Sequence, residues 1–121
     1  MKKIRFSLLA ILGIISCPGC EEALETVLTE KNVVLQAPAN KIKTSDPNQT
    51  FYWDFMDGAS EFQLQIVSPK FDSIARLITD TIITKNQFPL EMQAGNYQWR
   101  VKAINNSSST KFTDPWNLEI Q

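Results

Sequence analysis

The sequence predicts an all-β domain built as a two-layer sandwich of seven strands, and three observations carry that prediction. Tyr97, Trp99, Val101 and Ala103 alternate with Gln98, Arg100 and Lys102, a period of two that puts one face in a core and the other in water. The same alternation recurs in Phe51 and Trp53 against Tyr52 and Asp54, and in Phe62, Leu64 and Ile66 against Gln63 and Gln65. Turn-forming clusters separate these runs, at Asp46-Pro47-Asn48, Asp57-Gly58 and the NNSSS stretch from Asn105 to Ser109. Packing one sheet on another buries the apolar sides of all these short strands at once.

The first segment is not part of that domain. Lys2, Lys3 and Arg5 precede an apolar run over residues 6–15, which is too short to cross a hydrocarbon core of roughly 30 Å but has the length of a secretory signal's hydrophobic region. Ile14-Ile15-Ser16-Cys17 follows directly and resembles the lipobox of bacterial lipoproteins, in which aliphatic and small residues precede the cysteine that receives the lipid. The resemblance implies a lipoprotein signal peptide over 1–16, lipidated Cys17 with a tether over 17–31, and a folded domain over 32–121. Cys20, after Gly19, is the rival acceptor. Cys17 is preferred because the lipobox leading to Cys20 would have Cys17 at its aliphatic position. Two other readings of Cys17-Pro18-Gly19-Cys20 exist, a redox pair, which wants a βαβ setting that this sequence lacks, and a small disulfide in an oxidising compartment.

Charge narrows the function. The chain has 12 basic and 13 acidic side chains, and removal of Lys2, Lys3 and Arg5 with the leader leaves 9 against 13, a net of −4 that disfavours nucleic acid. It has no histidine, and so lacks the commonest general base and the commonest metal ligand. Residues 21–31 are polar and acid-rich, with Ala23, Leu24, Val27 and Leu28 at loosely helical spacing over too short a length for a stable isolated helix. They read as a solvated tether.

From Asn32 the strands follow in order. Residues 33–36 form the first, stopped by Ala37-Pro38, and a polar loop runs to the second at 49–54. The third is 61–67. Residues 69–74 read as a loop, and a fourth strand lies within 77–84 with its register open. Residues 87–92 form the fifth, with Phe88, Leu90 and Met92 on one face. Pro89 on the other face cannot donate to a ladder and so marks an edge. The sixth is the alternating run around Trp99, and the seventh carries Trp116, Leu118 and Ile120, with Pro115 at its start again suited to an edge.

Met92, Gly95 and Tyr97 form a hydrophobe-x-x-Gly-x-Tyr run that resembles the corner before the sixth strand of fibronectin type III and related immunoglobulin-like sandwiches. There a tyrosine returns its hydroxyl to the backbone a few residues upstream. With Phe51-Tyr52-Trp53-Asp54, Asp57-Gly58-Ala59 and Phe62-x-Leu64-x-Ile66, it makes the chain similar to fibronectin type III-like modules of bacterial envelope lipoproteins. That resemblance implies an immunoglobulin-like sandwich, here without a cysteine pair between the sheets, acting as a spacer or binding platform at the cell envelope. The expected address is the outer membrane, by way of the lipid.

No residues read as catalytic and no cofactor is implied. Asp54, Asp57 and Glu61 have the spacing of a calcium loop but not its glycines or ligand density, and read as an ordinary turn. Ser107, Ser108 and Ser109 have no histidine to activate them. Asn48-Gln49-Thr50, Asn105-Asn106-Ser107 and Asn106-Ser107-Ser108 match the N-glycosylation acceptor but read as turns.

Binding has more to work with. The third and sixth strands are neighbours in an immunoglobulin-like sandwich, so Gln63, Gln65, Gln98, Arg100 and Lys102 should share one water-facing surface, able to recognise sugar hydroxyls or peptide. Tyr52, Phe55, Phe71 and Phe112 are the aromatic candidates beside it, Phe55-Met56 being the most noticeable apolar pair. The expected protein is a monomeric domain on a lipid anchor with a glycan or envelope-protein ligand and no nucleic acid. The alternative is a structural subunit that docks on a larger outer-membrane complex.

Overall fold

In the computed structural model, residues 26–121 are described; the leader, both cysteines and the first part of the tether lie outside the described residues. The described chain is all-β: β1 (Leu35–Ala37), β2 (Ile42–Thr44), β3 (Asn48–Trp53), β4 (Glu61–Lys70), β5 (Ser73–Ile83), β6 (Gln87–Glu91), β7 (Gly95–Ile104) and β8 (Trp116–Ile120). They form a three-stranded sheet in the order β1-β3-β6 and a five-stranded sheet in the order β2-β8-β7-β4-β5.

The strand count among the described residues is therefore eight and not seven. The extra strand, β2, lies in what reads from sequence as a polar loop, and pairs in parallel with β8. Its alternation is invisible because it is only three residues long and its partner is remote in sequence. This pairing also removes β8 from the sheet edge, so the edge reading of Pro115 gives way to a simpler one. Pro115 stands just outside the strand, where no ladder bond is asked of it. Pro89 does lie on an edge strand, since β6 pairs only with β3. The expected loop at 69–74 is instead the end of one long hairpin: β4 runs to Lys70, β5 begins at Ser73, and only Phe71 and Asp72 turn the chain.

Between the sheets the core is aromatic. Phe51 and Trp53 of β3 meet Trp99 of β7 and Phe62 of β4 in edge-to-face pairs, at 5.0 and 5.7 Å between ring centroids. Trp116 continues the row against Trp99 at 6.0 Å. Leu64, Ile66, Val101, Ala103, Leu118 and Ile120 fill the remaining inward positions. The indole nitrogens of Trp53 and Trp99 are buried without an acceptor among the described residues, a cost that the packing of their rings must exceed.

The tyrosine corner is present. Tyr97 donates its hydroxyl hydrogen to the Gln93 carbonyl at 2.7 Å, and Gly95 between them has φ of 155°, which side chains rarely adopt.

The domain takes in more of the chain than the boundary at Asn32 implies. Leu28, expected in the tether, is 0% exposed and belongs to the core cluster. A node of hydrogen bonds holds this segment down. The Asn105 amide donates to the carbonyls of Thr26 at 2.7 Å and Gly58 at 3.0 Å, and its Oδ1 accepts from the Ser107 and Ser108 backbone N–H groups. The Leu28 N–H in turn donates to Ser108 Oγ at 3.0 Å. Gly58 has φ of 89°, and a Cβ there would lie 2.5 Å from the Thr26 side chain, so glycine is required on both counts. The Asn105 amide is thus engaged within the fold, as the turn reading of its glycosylation triplet anticipates.

Three substitutions test this core by denaturant unfolding. Tyr97→Phe deletes one partly buried hydrogen bond and should cost about 0.5 to 1.5 kcal/mol, whereas Trp99→Ala should cost about 3 to 5. Leu28→Ala should cost about 2 to 5 kcal/mol, and a cost near zero would return this segment to the tether.

Candidate functional site

The register of β4, β7 and β8 assembles the predicted surface. Gln63 pairs with Lys102, Gln65 with Arg100 and Val67 with Gln98, while Gln98 pairs across β7 with Asn117. Since paired residues project to the same side and Phe62, Leu64 and Ile66 point into the core, these all lie on the outer surface of the five-stranded sheet. Five of the six candidate binding residues are thereby brought together. Phe55 is not among them: it is 68% exposed and its ring lies tilted 6.2 Å from that of Phe62, an inward residue, which places it at the end of the sandwich, in the loop between β3 and β4.

The aromatics that do join are Phe71 and Phe112. The Arg100 guanidinium lies 4.0 Å from the Phe71 ring centroid and 4.4 Å from that of Phe112, and the Lys102 ammonium is 4.9 Å from Phe112. Arg100 is a cation held between two ring faces, an arrangement favoured by the negative potential over each π-system. Phe71 is drawn over the sheet because its backbone N–H donates to Gln98 Oε1 at 2.9 Å.

A chain of amides fixes the guanidinium in its plane. Arg100 Nε donates to Gln65 Oε1 at 2.9 Å; Gln65 and Gln63 each donate from Nε2 to the Asp80 carboxylate, at 3.3 and 2.8 Å. Gln98 Nε2 donates to Asn117 Oδ1 at 2.9 Å. Asp80 thus balances Arg100 through Gln65 and not by contact, leaving the guanidinium's terminal amino groups without an acceptor among the described residues.

Asp80 could not be placed beside Gln65 from the sequence because the register of its strand was open, and the pairing of Gln65 with Asp80 now supplies it. Phe71 and Phe112 are visible as aromatics, but nothing in their spacing ties them to Arg100. Asp54 accepts a hydrogen bond from Gln36 Nε2 at 3.1 Å, and no group of three or more His, Cys, Asp or Glu among the described residues could hold a metal ion.

A second feature lies further along the same sheet. A groove of about 440 Å³ is lined by Lys41, Lys43, Pro69, Lys70, Asn96, Asn117 and Glu119, among others. Pairing of Asn96 with Glu119, and of Glu119 with Lys43, puts these side chains on the surface that carries Arg100.

Phe112→Ala removes one jaw of the clamp and should cost about 0.5 to 2 kcal/mol of stability. In NMR spectra the Arg100 Nε–H should exchange slowly with water and become fast in Gln65→Leu; equal exchange in both proteins would show that the amide chain does not hold it.

No protein family matches the chain, and no curated protein does. Among solved structures, a fibronectin type III domain derived from the human KIAA0970 protein aligns with a TM-score of 0.54 at 15% identity, covering 92% of this chain and 88% of that one. The fourth FNIII domain of a human protein aligns at 0.51 and 14%, covering 73% and 76%. At such identities the likeness is one of fold, and the fold is a fibronectin type III-like sandwich.

Proposed function

We propose that this fibronectin type III-like domain is a binding module of the bacterial cell envelope, anchored at the outer membrane through lipidated Cys17, which presents the outer surface of its five-stranded sheet to a glycan or protein. The observation that carries the reading is the clamp. A guanidinium oriented by two rings and an amide, with its terminal donors unengaged among the described residues, needs little reorganisation to meet a ligand, which lowers the entropic cost of binding. Sandwiches of this fold serve many roles, so the site and not the fold must carry the assignment.

A different observation favours the alternative, a subunit docked on a larger membrane assembly. β5 is an eleven-residue edge strand, paired only with β4, that exposes Ile74, Leu77 and Ile82. Long apolar edges invite another chain.

Two measurements test the proposal. Cys17→Ala should abolish acyl labelling and release the protein from the membrane fraction while Cys20→Ala does neither; the reverse pattern would move the anchor to Cys20. On an array of glycans and envelope proteins, Arg100→Gln should remove saturable binding that β5 substitutions at Leu77 and Ile82 leave intact. Loss only with the β5 substitutions would favour the docking subunit.

A further inference from the structure

We infer that the ligand of this surface is an acidic polysaccharide, a chain bearing uronate carboxylates, which lies along the sheet from the Arg100 clamp to the lysine-lined groove. The inference rests on the binding-module reading and adds the ligand's chemistry and path.

Charge is the first ground. The described residues carry 9 basic and 10 acidic side chains, and Arg100, Lys102, Lys41, Lys43 and Lys70 collect on or border this one surface, against Asp80, Glu119, Asp72 in the hairpin turn and Glu61 at the end of β4 away from the groove. Asp80 is occupied by Gln63 and Gln65, and Glu119 reaches Lys43 only at 4.0 Å in an exposed pair of little energetic weight. The rest of the domain is correspondingly acidic. A surface positive within an acidic protein attracts anions selectively.

Donor geometry is the second. With Nε engaged and both faces covered by rings, Arg100 keeps two coplanar terminal amino groups with no partner among the described residues, the fork that matches a carboxylate's two oxygens. Neutral hydrogen-bonding groups suited to hydroxyls follow along the sheet: Gln63 Oε1 near Arg100 and the Asn96 side-chain amide toward the groove carry no hydrogen bond among the described residues.

The path is the third. Arg100 and Asn96 stand four residues apart on β7, about 13 Å, so one compact anion cannot engage both the clamp and the groove, whereas an extended polymer can. Lipid headgroups of the anchoring membrane fit less well, because the groove borders the start of β7 while the N-terminal segment is fastened by Asn105, just beyond that strand's other end, about 30 Å away.

The probe is polygalacturonate, titrated against the full chain in detergent, with its fully methyl-esterified form as the uncharged control and poly-L-glutamate as an acidic peptide. Polygalacturonate should bind, weaken at least tenfold between about 50 and 200 mM salt, lose at least tenfold in Arg100→Gln, and lose severalfold in the double variant Lys43→Gln, Lys70→Gln. Arg100→Lys should recover only part of the loss, since it restores charge but not the fork. Thermal unfolding of each variant, run beside the titration, shows whether the sandwich remains folded. The lysine double variant does not touch the clamp and keeps the test valid should Arg100→Gln unfold. Binding of the esterified polymer as tightly as the acid overturns the ligand class while leaving a glycan-binding module in place. Preferential binding of poly-L-glutamate overturns it in favour of an acidic protein partner, and the absence of polygalacturonate binding in a folded protein overturns it outright.

Discussion

Everything on the outer surface depends on aromatic contact inside. Phe51 and Trp53 come from one sheet, Trp99 and Phe62 from the other, and their edge-to-face pairs set how the two layers sit. Each such pair adds about 0.5 to 1.5 kcal/mol beyond the area it buries, a large fraction of what holds a small domain together. There is no disulfide between the sheets to share that load, since the only cysteines precede the domain. Trp99 projects inward from the residue just before Arg100, so the position of β7 that anchors the core also fixes the base of the clamp.

The same strand was the most legible part of the sequence, and the reason is physical. β7 lies in the middle of the five-stranded sheet, with one face in the core and the other in water, and that asymmetry enforces strict alternation in its residues. Gln63, Gln65, Gln98, Arg100 and Lys102 could be grouped from sequence because central strands of this fold have one neighbour order. Phe55 was grouped with them as an aromatic in an apolar loop pair with Met56, and residue type says nothing about which end of the sandwich a loop occupies. The clamp's jaws come from a turn and a loop, Phe71 and Phe112, whose approach to Arg100 is set by tertiary geometry. Leu28 escaped for a related reason: its loosely helical spacing with Ala23, Leu24 and Val27 in a short acid-rich stretch does not announce packing on a sandwich, which rests on hydrogen bonds from Asn105 to Thr26 and from Leu28 to Ser108, residues 79 and 80 positions apart.

The β4–β5 hairpin shows how local irregularity serves the site. Its ladder shifts register twice, between Ile66 and Val67 and between Ser68 and Pro69. Bulges of this kind increase twist and bend the strands that carry them. Here the bend lies between the paired residues Gln65 and Asp80 and the tip at Phe71, so the tip departs from the plane of the sheet and can fold over Gln98. Val67, outward by register and yet fully buried, lies on the stretch so covered. The exposed edge of β5 is the accompanying liability, and the same bulges that place Phe71 also interrupt the regular row of donors and acceptors that a flat edge would offer to another chain.

The two ends of the domain then have different tasks. At one, Asn105 gathers Thr26, Gly58, Ser107 and Ser108, so the incoming chain, the β3–β4 turn and the β7–β8 loop are fixed to one another by a single amide. Such an anchorage passes any pull on the N-terminal segment directly to β7 and not to a flexible loop. At the other end the hairpin tip and the lysine-lined groove lie far from that attachment, where an extended molecule has room to approach. A domain held by one end and charged along one sheet surface leading away from it is suited to lie against a long anionic chain, with Arg100 midway along β7 supplying direction and the lysines supplying attraction. Of the two, only the arginine is immobilised by its neighbours, which makes it the group whose geometry distinguishes one anion from another.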